Sequence, residues 1–227
     1  MDRRYFLRLG MAGLSLPALV SCGSDNSANP SGSTTAPNGT NTQTNEAIAA
    51  LLDSQAPFPY GVASGDPTDS ALILWSAVKP RNSDVESIPL RLEYVLSTNE
   101  VSDPAQWDSL FTVGAVKTLG TFMALKARDY TVKVDLGNVD LYRGTPFETG
   151  AIEALPADQF VYYRFVAGAI KSRTGRAKTL PRGQVDNCKF AMVSCSNIAA
   201  GYFSVYEMVR RESLDFVVHL GDYFYEN

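Results

Sequence analysis

The chain has 227 residues, of which 45% are hydrophobic and 19% are charged, a composition typical of a globular protein with a packed core. Its formal net charge is −4, and its lysines and arginines are scattered, so no nucleic-acid-binding surface is evident. This length accommodates one or two domains.

The first 21 residues have the pattern of a lipoprotein export signal. Arg3 and Arg4 precede an aromatic residue and a leucine, as in twin-arginine signals, and a weakly apolar stretch follows. That stretch is shorter than the roughly 20 apolar residues that a membrane-spanning helix needs. It ends in a Leu-Val-Ser-Cys sequence, in which Cys22 occupies the lipidated position of a lipobox.

We therefore expect export by the twin-arginine machinery and attachment to a membrane through a lipid on Cys22. The protein is then anchored in the periplasm, at the outer membrane or at the cell surface. The alternative is an ordinary signal peptide followed by a cysteine that is there by chance.

Residues 22–48 are predicted to form a flexible tether. They are mostly Ser, Thr, Asn, Gly, Pro and Ala, and they lack the apolar groups that offset the loss of chain entropy on folding. Near the end of this region, residues 46–52 have the composition of one or two helical turns.

Short strands dominate residues 49–184. Some segments alternate apolar and polar residues, others are runs of apolar or aromatic residues, and turn-forming residues separate them. The strand segments are 71–75, 90–94, 130–136 and 161–166. A hairpin turn at residues 172–176 leads into a last strand. This pattern predicts an antiparallel β-sandwich of the immunoglobulin or fibronectin type.

The pattern changes at residue 185. Phe190–Val193 is a short apolar run, typical of a strand that is buried on both faces. Residues 194–200 are predicted to be a loop, and a second apolar strand covers residues 214–220. Between them, apolar residues recur at helical spacing, at Tyr202, Val205, Tyr206 and Val209. Strand, helix and strand predict the first βαβ unit of an α/β domain, with parallel strands and a right-handed crossover.

The two predicted parallel strands deliver Cys195 and Asp222 to the same sheet edge, where α/β folds bind ligands. A thiolate and a carboxylate are both suitable metal donors. Tyr225 adds a phenol, which ligates well only a strongly acidic cation such as Fe³⁺. Taken singly, each residue also fits a simpler role, as a small buried hydrophobe, a turn residue or a packing aromatic.

Two other residues are predicted to lie outside this donor set. His219, the only histidine, follows apolar residues and is expected to be a core or supporting residue. Cys188 lies seven positions before Cys195. In an extended strand this separation spans about 23 Å, which is too far for a disulfide, so Cys195 is expected to be a free thiol.

Several segments together resemble the PhoD family of alkaline phosphatases and phosphodiesterases, and they occur in the family's order. The most specific are the Gly-Val-Ala-Ser-Gly-Asp-Pro string ending at Pro67 and the His-Leu-Gly-Asp-Tyr string starting at His219. The segments are 60–67, 74–75, 162–165, 179–181, 193–195, 201–203 and 219–226. The resemblance implies an N-terminal β-sandwich domain at residues 49–184 and the start of a metallophosphoesterase domain at residues 185–227.

Carried over residue by residue, the resemblance places the family's cysteine iron ligand at Cys195, its bridging aspartate at Asp222 and its tyrosinate at Tyr225. It implies Fe³⁺ acting with Ca²⁺ on a phosphate mono- or diester. The sequence departs from the family in two places. Trp75 is followed by Ser-Ala instead of Thr-Arg, and the long stretch 137–158 predicts a loop insertion.

The family's remaining Asn, Asp and His ligands have no counterpart in these 227 residues, so we expect an incomplete active site and an inactive fragment. The competing hypothesis is a non-enzymatic surface lipoprotein whose β-sandwich is a binding module. An isolated parallel unit would leave the apolar side chains of Phe190, Val193, Phe216 and Val217 uncovered, which argues against such a module. A purple-acid-phosphatase-like enzyme would need an Asp-x-His sequence in place of residues 194–196.

Overall fold

The computed structural model describes residues 43–137, 153–223 and 225, which belong to one compact unit. The predicted export signal with Arg3, Arg4 and Cys22 lies outside these residues, as does most of the predicted tether and of the predicted loop insertion. Within the described ranges, no helix is both long enough and apolar enough to cross a membrane.

Strands form most of the regular structure in these ranges. They are β1 (Val62–Gly65), β2 (Leu72–Ala77), β3 (Ser87–Ser97), β4 (Lys117–Leu125), β5 (Thr131–Leu136), β6 (Phe160–Ala167), β7 (Ile170–Lys171), β8 (Gly175–Lys178), β9 (Phe190–Val193) and β10 (Phe216–His219). The α-helices are α1 (Asn45–Ala49), α2 (Leu110–Val113), α3 (Ile198–Gly201) and α4 (Ser204–Arg211), and 3₁₀ helices cover Pro104–Ser109 and Lys126–Arg128.

Two antiparallel sheets enclose the main core. The first has the order β1-β2-β5, and the second has the order β4-β3-β6-β7, with β8 also paired to β6. Their inward side chains alternate along the strands and form one apolar cluster. It includes Leu72, Leu74 and Val134 from the first sheet and Leu92, Phe122 and Phe165 from the second. The described part of the chain is therefore mainly β-structure.

Strand β6 is buried on both faces, with every residue from Val161 to Ala167 buried. Tyr163 faces the main core, whereas Tyr162 packs on the opposite side with Phe111 in a second, smaller cluster. The hydroxyl of Tyr162 accepts the backbone N–H of Val101 at 2.6 Å. The segment that precedes β4 therefore covers the outer face of this sheet.

Arg164 lies on that outer face and is only 8% exposed. It forms an ion pair with Glu93 of β3, with 2.8 Å between Nη2 and Oε2, and its guanidinium lies 3.9 Å from the centre of the Phe111 ring. Burial alone would raise the pKa of Glu93, but hydrogen bonds from Arg164 and Arg91 hold that pKa below its ordinary value. The Tyr-Tyr-Arg-Phe string at residues 162–165 thus has a structural role in this sheet.

Strands β9 and β10 pair in parallel, with Phe190 opposite Phe216 and Val193 opposite His219, and α3 and α4 lie between them in the chain. Ionic contacts link this pair to the second sheet. Lys178 of β8 binds Asp215 at 2.9 Å, immediately before β10. Arg176 pairs with Glu100 and donates to the carbonyl oxygen of Leu214 at 3.2 Å.

The predicted tether extends too far along the chain. Helix α1 begins at Asn45, with its first turn capped by the side chain of Thr44, and Ile48 packs against the main core. Residues 45–48 therefore belong to the folded unit, because Ile48 and Leu51 bury apolar surface that a solvated tether would leave exposed.

Two further expectations, for residues 190–206, need correction. Residues 198–201 form helix α3 rather than a loop, and the next helix begins at Ser204 because Tyr202 and Phe203 have left-handed backbone angles (φ 54° and 58°) that interrupt the helix. Strand β9 is not buried on both faces, since the side chain of Phe190 is 49% exposed.

Gly175 gives a direct test of the contact between the two sheets. A Cβ at this position would lie 2.7 Å from Cζ of Tyr163 and 2.7 Å from Cγ2 of Val62. We expect Gly175→Ala to lower the free energy of unfolding by about 1–3 kcal/mol, because the alanine forces these side chains apart. Urea unfolding measures the change.

Gly65→Ala in β1 is the matched control, because its Cβ would meet no atom within 4 Å. We expect this variant to stay within about 0.5 kcal/mol of the wild type. Equal effects of the two substitutions would contradict the close packing at Gly175.

Candidate metal site

Cys195 and Asp222 follow the carboxyl ends of β9 and β10. The parallel pairing continues past both strands, because the N–H of Leu220 donates to the carbonyl oxygen of Val193 at 2.9 Å and the N–H of Cys195 donates to that of Gly221 at 3.4 Å. These bonds bring the two side chains to one edge of the pair.

The side chains of Cys195, Asp222 and Tyr225 converge on a single oxygen. The thiol of Cys195 lies 3.7 Å from Oδ2 of Asp222, and the phenol of Tyr225 donates to the same oxygen at 2.8 Å. All three residues are exposed. The structure thus brings together the three residues predicted from the sequence, and their assignment as metal ligands stays a prediction.

The backbone at this edge adopts unfavourable conformations. Cys195 and Asp222 have φ angles of 52° and 50°, in the left-handed region that costs residues with a Cβ roughly 1–2 kcal/mol. Gly221 between the strand and Asp222 has φ 133°, which favours glycine. Such conformations persist where the surrounding structure imposes them, and they are concentrated at functional sites.

The position of Asp222 affects the acidity of Tyr225. The carboxylate of Asp222, and to a smaller extent Cys195, raise the pKa of Tyr225 above its ordinary value because they hold the phenolic proton. Two protons, one on sulfur and one on oxygen, therefore point at one carboxylate oxygen. A highly charged cation at this point would replace both protons and gain three anionic donors.

This donor set fits a ferric ion. A thiolate, a carboxylate and a phenolate are all anionic, and a phenolate needs a cation acidic enough to displace its proton. Among the described residues, no three His, Cys, Asp or Glu side chains gather at one point, so the phenol of Tyr225 is what completes the set. The same residues offer no comparable group of carboxylates for calcium.

A small cavity of about 260 Å³ borders the thiol of Cys195, and Asn197 and Ser204 lie in its wall. A larger cavity of about 600 Å³ lies elsewhere, beside β8 and β10, and neither Cys195 nor Asp222 lines it. The three basic residues of the larger cavity, Arg176, Lys178 and Arg210, are already paired with carboxylates. The space next to the candidate site is therefore the smaller one.

Sequence reasoning missed the contacts of His219. Nε2 of its ring lies 3.3 Å from the hydroxyl oxygen of Tyr206, and Nδ1 accepts a hydrogen bond from the N–H of Gly221 at 3.3 Å. The contact with Tyr206 depends on where α4 packs, which no sequence pattern indicates. Cys188 and Cys195 are both exposed and unpaired.

Known proteins resemble this chain in both of its parts. Residues 190–227 match the family model described as PhoD-like phosphatase, and residues 43–144 match that of the PhoD-like phosphatase N-terminal domain. Alkaline phosphatase D of Bacillus subtilis (strain 168) is 31% identical over 185 residues, which are 80% of this chain and 27% of that protein.

A solved structure described as "Structure of PhoD" superposes with a TM-score of 0.58 at 30% identity, over 77% of this chain and 29% of that chain. The chain therefore spans less than a third of the length of the proteins that it matches.

Replacement of Asp222 tests how the phenolic proton is held. Asp222→Asn removes the negative charge beside Tyr225, so the pKa of Tyr225 is expected to fall toward the ordinary tyrosine value of about 10. Absorbance at 295 nm during alkaline titration measures it. Subtracting the matching Tyr225→Phe protein isolates one phenol among the 11 tyrosines.

Asp84→Asn, an exposed aspartate in another part of the chain, removes the same charge as a control and should leave the Tyr225 titration unchanged. If Asp222→Asn also leaves it unchanged, the carboxylate does not hold the phenolic proton.

Proposed function

We propose that this chain forms the leading part of an exported, metal-dependent phosphoesterase. The premise is that it belongs to the PhoD-like phosphatase family, which it matches over residues 43–144 and 190–227. The substrate class is a phosphate mono- or diester. The observation that carries this proposal is the convergence of Cys195, Asp222 and Tyr225 on one sheet edge, within the segment that matches the phosphatase family.

The proposed organisation places an immunoglobulin- or fibronectin-like sandwich at residues 49–184 and the first βαβ unit of a metallophosphoesterase domain at residues 185–227. Two antiparallel sheets around one core support the first assignment. The parallel pairing of β9 with β10, and the helices between them, support the second.

Export and anchoring are proposed on sequence alone. Arg3 and Arg4 supply the twin-arginine pair, and Cys22 supplies the lipidated position, ahead of a tether that ends before α1. A phosphoesterase attached in this way would act on esters outside the cytoplasm.

Cys195, Asp222 and Tyr225 are the residues that would hold a ferric ion. Such an ion supplies a Lewis acid that draws electron density from a phosphoryl oxygen. Asp222 is central among the protein groups, because its Oδ2 accepts hydrogen bonds from both Cys195 and Tyr225. The exposed edge leaves open space beside Cys195 for a substrate ester. Ca²⁺ is proposed from the resemblance, without ligands among the described residues.

The competing proposal, a self-contained binding module, has less support. The side chains of Phe190, Phe216 and Val217 are 49%, 37% and 48% exposed. Parallel strands are ordinarily covered on both faces, and an exposed apolar patch promotes aggregation. These side chains are better explained as a surface on which further structure of a phosphoesterase packs.

Ferric binding tests the proposed donor set. We expect the 227-residue protein to take up Fe³⁺ and to develop the visible absorption band of a phenolate bound to ferric ion. Tyr225→Phe should abolish the band, and Cys195→Ser should weaken ferric affinity by at least about tenfold, or about 1.4 kcal/mol.

Tyr223→Phe is the matched control. It removes the phenolic hydroxyl of a tyrosine two residues before Tyr225 and keeps the ring, which contacts His219. This variant should keep the band. A band of equal intensity in Tyr225→Phe would contradict the assignment of Tyr225.

Catalytic activity is expected to be absent from these 227 residues alone. Cys195, Asp222 and Tyr225 would hold one cation, whereas a two-metal centre needs a second set of donors that the described residues do not supply. With Fe³⁺ and Ca²⁺ added, hydrolysis of p-nitrophenyl phosphate and of its bis-ester should not exceed that of the metal ions alone. Turnover that is lost in Cys195→Ala would contradict this expectation.

A further inference from the structure

His219 ends β10, and its ring connects helix α4 to the turn that carries Asp222. Nδ1 of the ring lies 3.3 Å from the backbone nitrogen of Gly221, and Nε2 lies 3.3 Å from the hydroxyl oxygen of Tyr206 on α4. The ring also packs edge-on against Tyr223, with 4.9 Å between the ring centres. Both ring nitrogens and one ring edge are therefore in contact with defined groups.

The direction of these hydrogen bonds fixes the form of the imidazole. A backbone N–H can only donate, so Nδ1 of His219 must be the unprotonated acceptor. In the neutral ring the proton then lies on Nε2, from which it is donated to the hydroxyl of Tyr206. The bond to Gly221 thus requires the tautomer that carries its proton on Nε2. The hydroxyl oxygen of Tyr206 accepts the hydrogen bond from that nitrogen.

The turn after β10 needs such support because its backbone is unfavourable. Gly221 and Asp222 have φ angles of 133° and 50°. The carbonyl oxygen of Gly221 accepts the N–H of Cys195 on the β9 side, and its N–H donates to His219 on the other side. Gly221 is therefore held through both of its backbone polar groups. The next residue is Asp222, whose carboxylate accepts hydrogen bonds from Cys195 and Tyr225.

We propose that His219, protonated on Nε2, is a positioning residue that fixes the turn carrying Asp222 and thereby keeps this carboxylate within reach of Cys195 and Tyr225. The functional meaning of this inference rests on the metal site proposed above, whereas the hydrogen bonds themselves need no metal. Groups that orient metal ligands through hydrogen bonds typically change metal affinity by about 10- to 100-fold.

Two substitutions of His219 separate its two hydrogen bonds. In His219→Asn the side-chain oxygen takes the place of Nδ1 and can still accept the N–H of Gly221, but it cannot reach Tyr206. In His219→Gln the longer side chain can reach toward Tyr206, but it offers no acceptor near Gly221. Circular dichroism establishes that both variants are folded.

Ferric titration of the 227-residue protein, followed by the visible absorption band, compares the two variants. We expect His219→Asn to bind Fe³⁺ within about threefold of the wild type and His219→Gln to bind at least about tenfold more weakly. Equal affinities, or the reverse order, would overturn the positioning role.

Nitrogen NMR tests the same inference without any metal. His219 is the only histidine, so protein labelled with ¹⁵N-histidine gives the signals of one imidazole. The neutral ring should show a proton on Nε2. In uniformly ¹⁵N-labelled protein, the amide proton of Gly221 should exchange with water at least about tenfold faster in His219→Gln than in the wild type. A proton on Nδ1, or unchanged exchange of Gly221, would overturn the proposal.

These two experiments fail in different ways. If the wild-type protein takes up no ferric ion, the proposed metal site is wrong, and the tautomer and the exchange of Gly221 still decide whether His219 holds the turn. If ferric binding is normal and the NMR result is negative, the metal site stands and the role of His219 does not.

Discussion

Hydrogen bonds between β9 and β10 continue past the ends of both strands, and this continuation places the candidate site. Because Val193 lies opposite His219 in the register, the residues after each strand emerge at one edge. The bond from Cys195 to the carbonyl oxygen of Gly221 then sets the distance between the thiol and the carboxylate of Asp222. A shift of one residue in this register would send one of the two side chains to the opposite face.

The larger antiparallel part of the molecule supports this edge indirectly. Lys178 and Arg176 on β8 hold the residues immediately before β10, so the second sheet fixes where that strand begins. Two residues at the end of β2 are held inside the larger part. The hydroxyl of Ser76 donates to the carbonyl oxygen of Gly61 at 2.8 Å, and Ala77 is buried.

Much of the fold follows from local patterning, because side chains that alternate between core and solvent leave a period of two in the sequence. The segments 90–94 and 130–136 show this period; the first lies within β3, and the second coincides with β5 except for Tyr130, which precedes the strand. Strand β4 was not predicted, since it contains Gly120 and several polar residues, and its pairing with β3 includes a register shift. Such a strand is specified by its partner rather than by its own composition.

The candidate site was predictable in composition but not in detail. The strand–helix–strand pattern and the family strings placed Cys195, Asp222 and Tyr225 together, because parallel strands end at one edge. The left-handed backbone at Cys195 and Phe203 has no marker in the local composition, and the contact between His219 and Tyr206 joins residues 13 positions apart. The exposure of Phe190 agrees with the expectation that an isolated parallel pair leaves its apolar side chains uncovered.

The proposed metal site requires that the thiol, the carboxylate and the phenol at this sheet edge bind the same ion. X-ray absorption spectroscopy at the iron edge of the ferric-loaded protein detects the sulfur ligand. We expect a sulfur neighbour at about 2.3 Å, the usual length of a bond between a thiolate and a metal, and its loss in Cys195→Ser. A coordination sphere of oxygen and nitrogen alone in the wild-type protein would show that Cys195 is not a ligand.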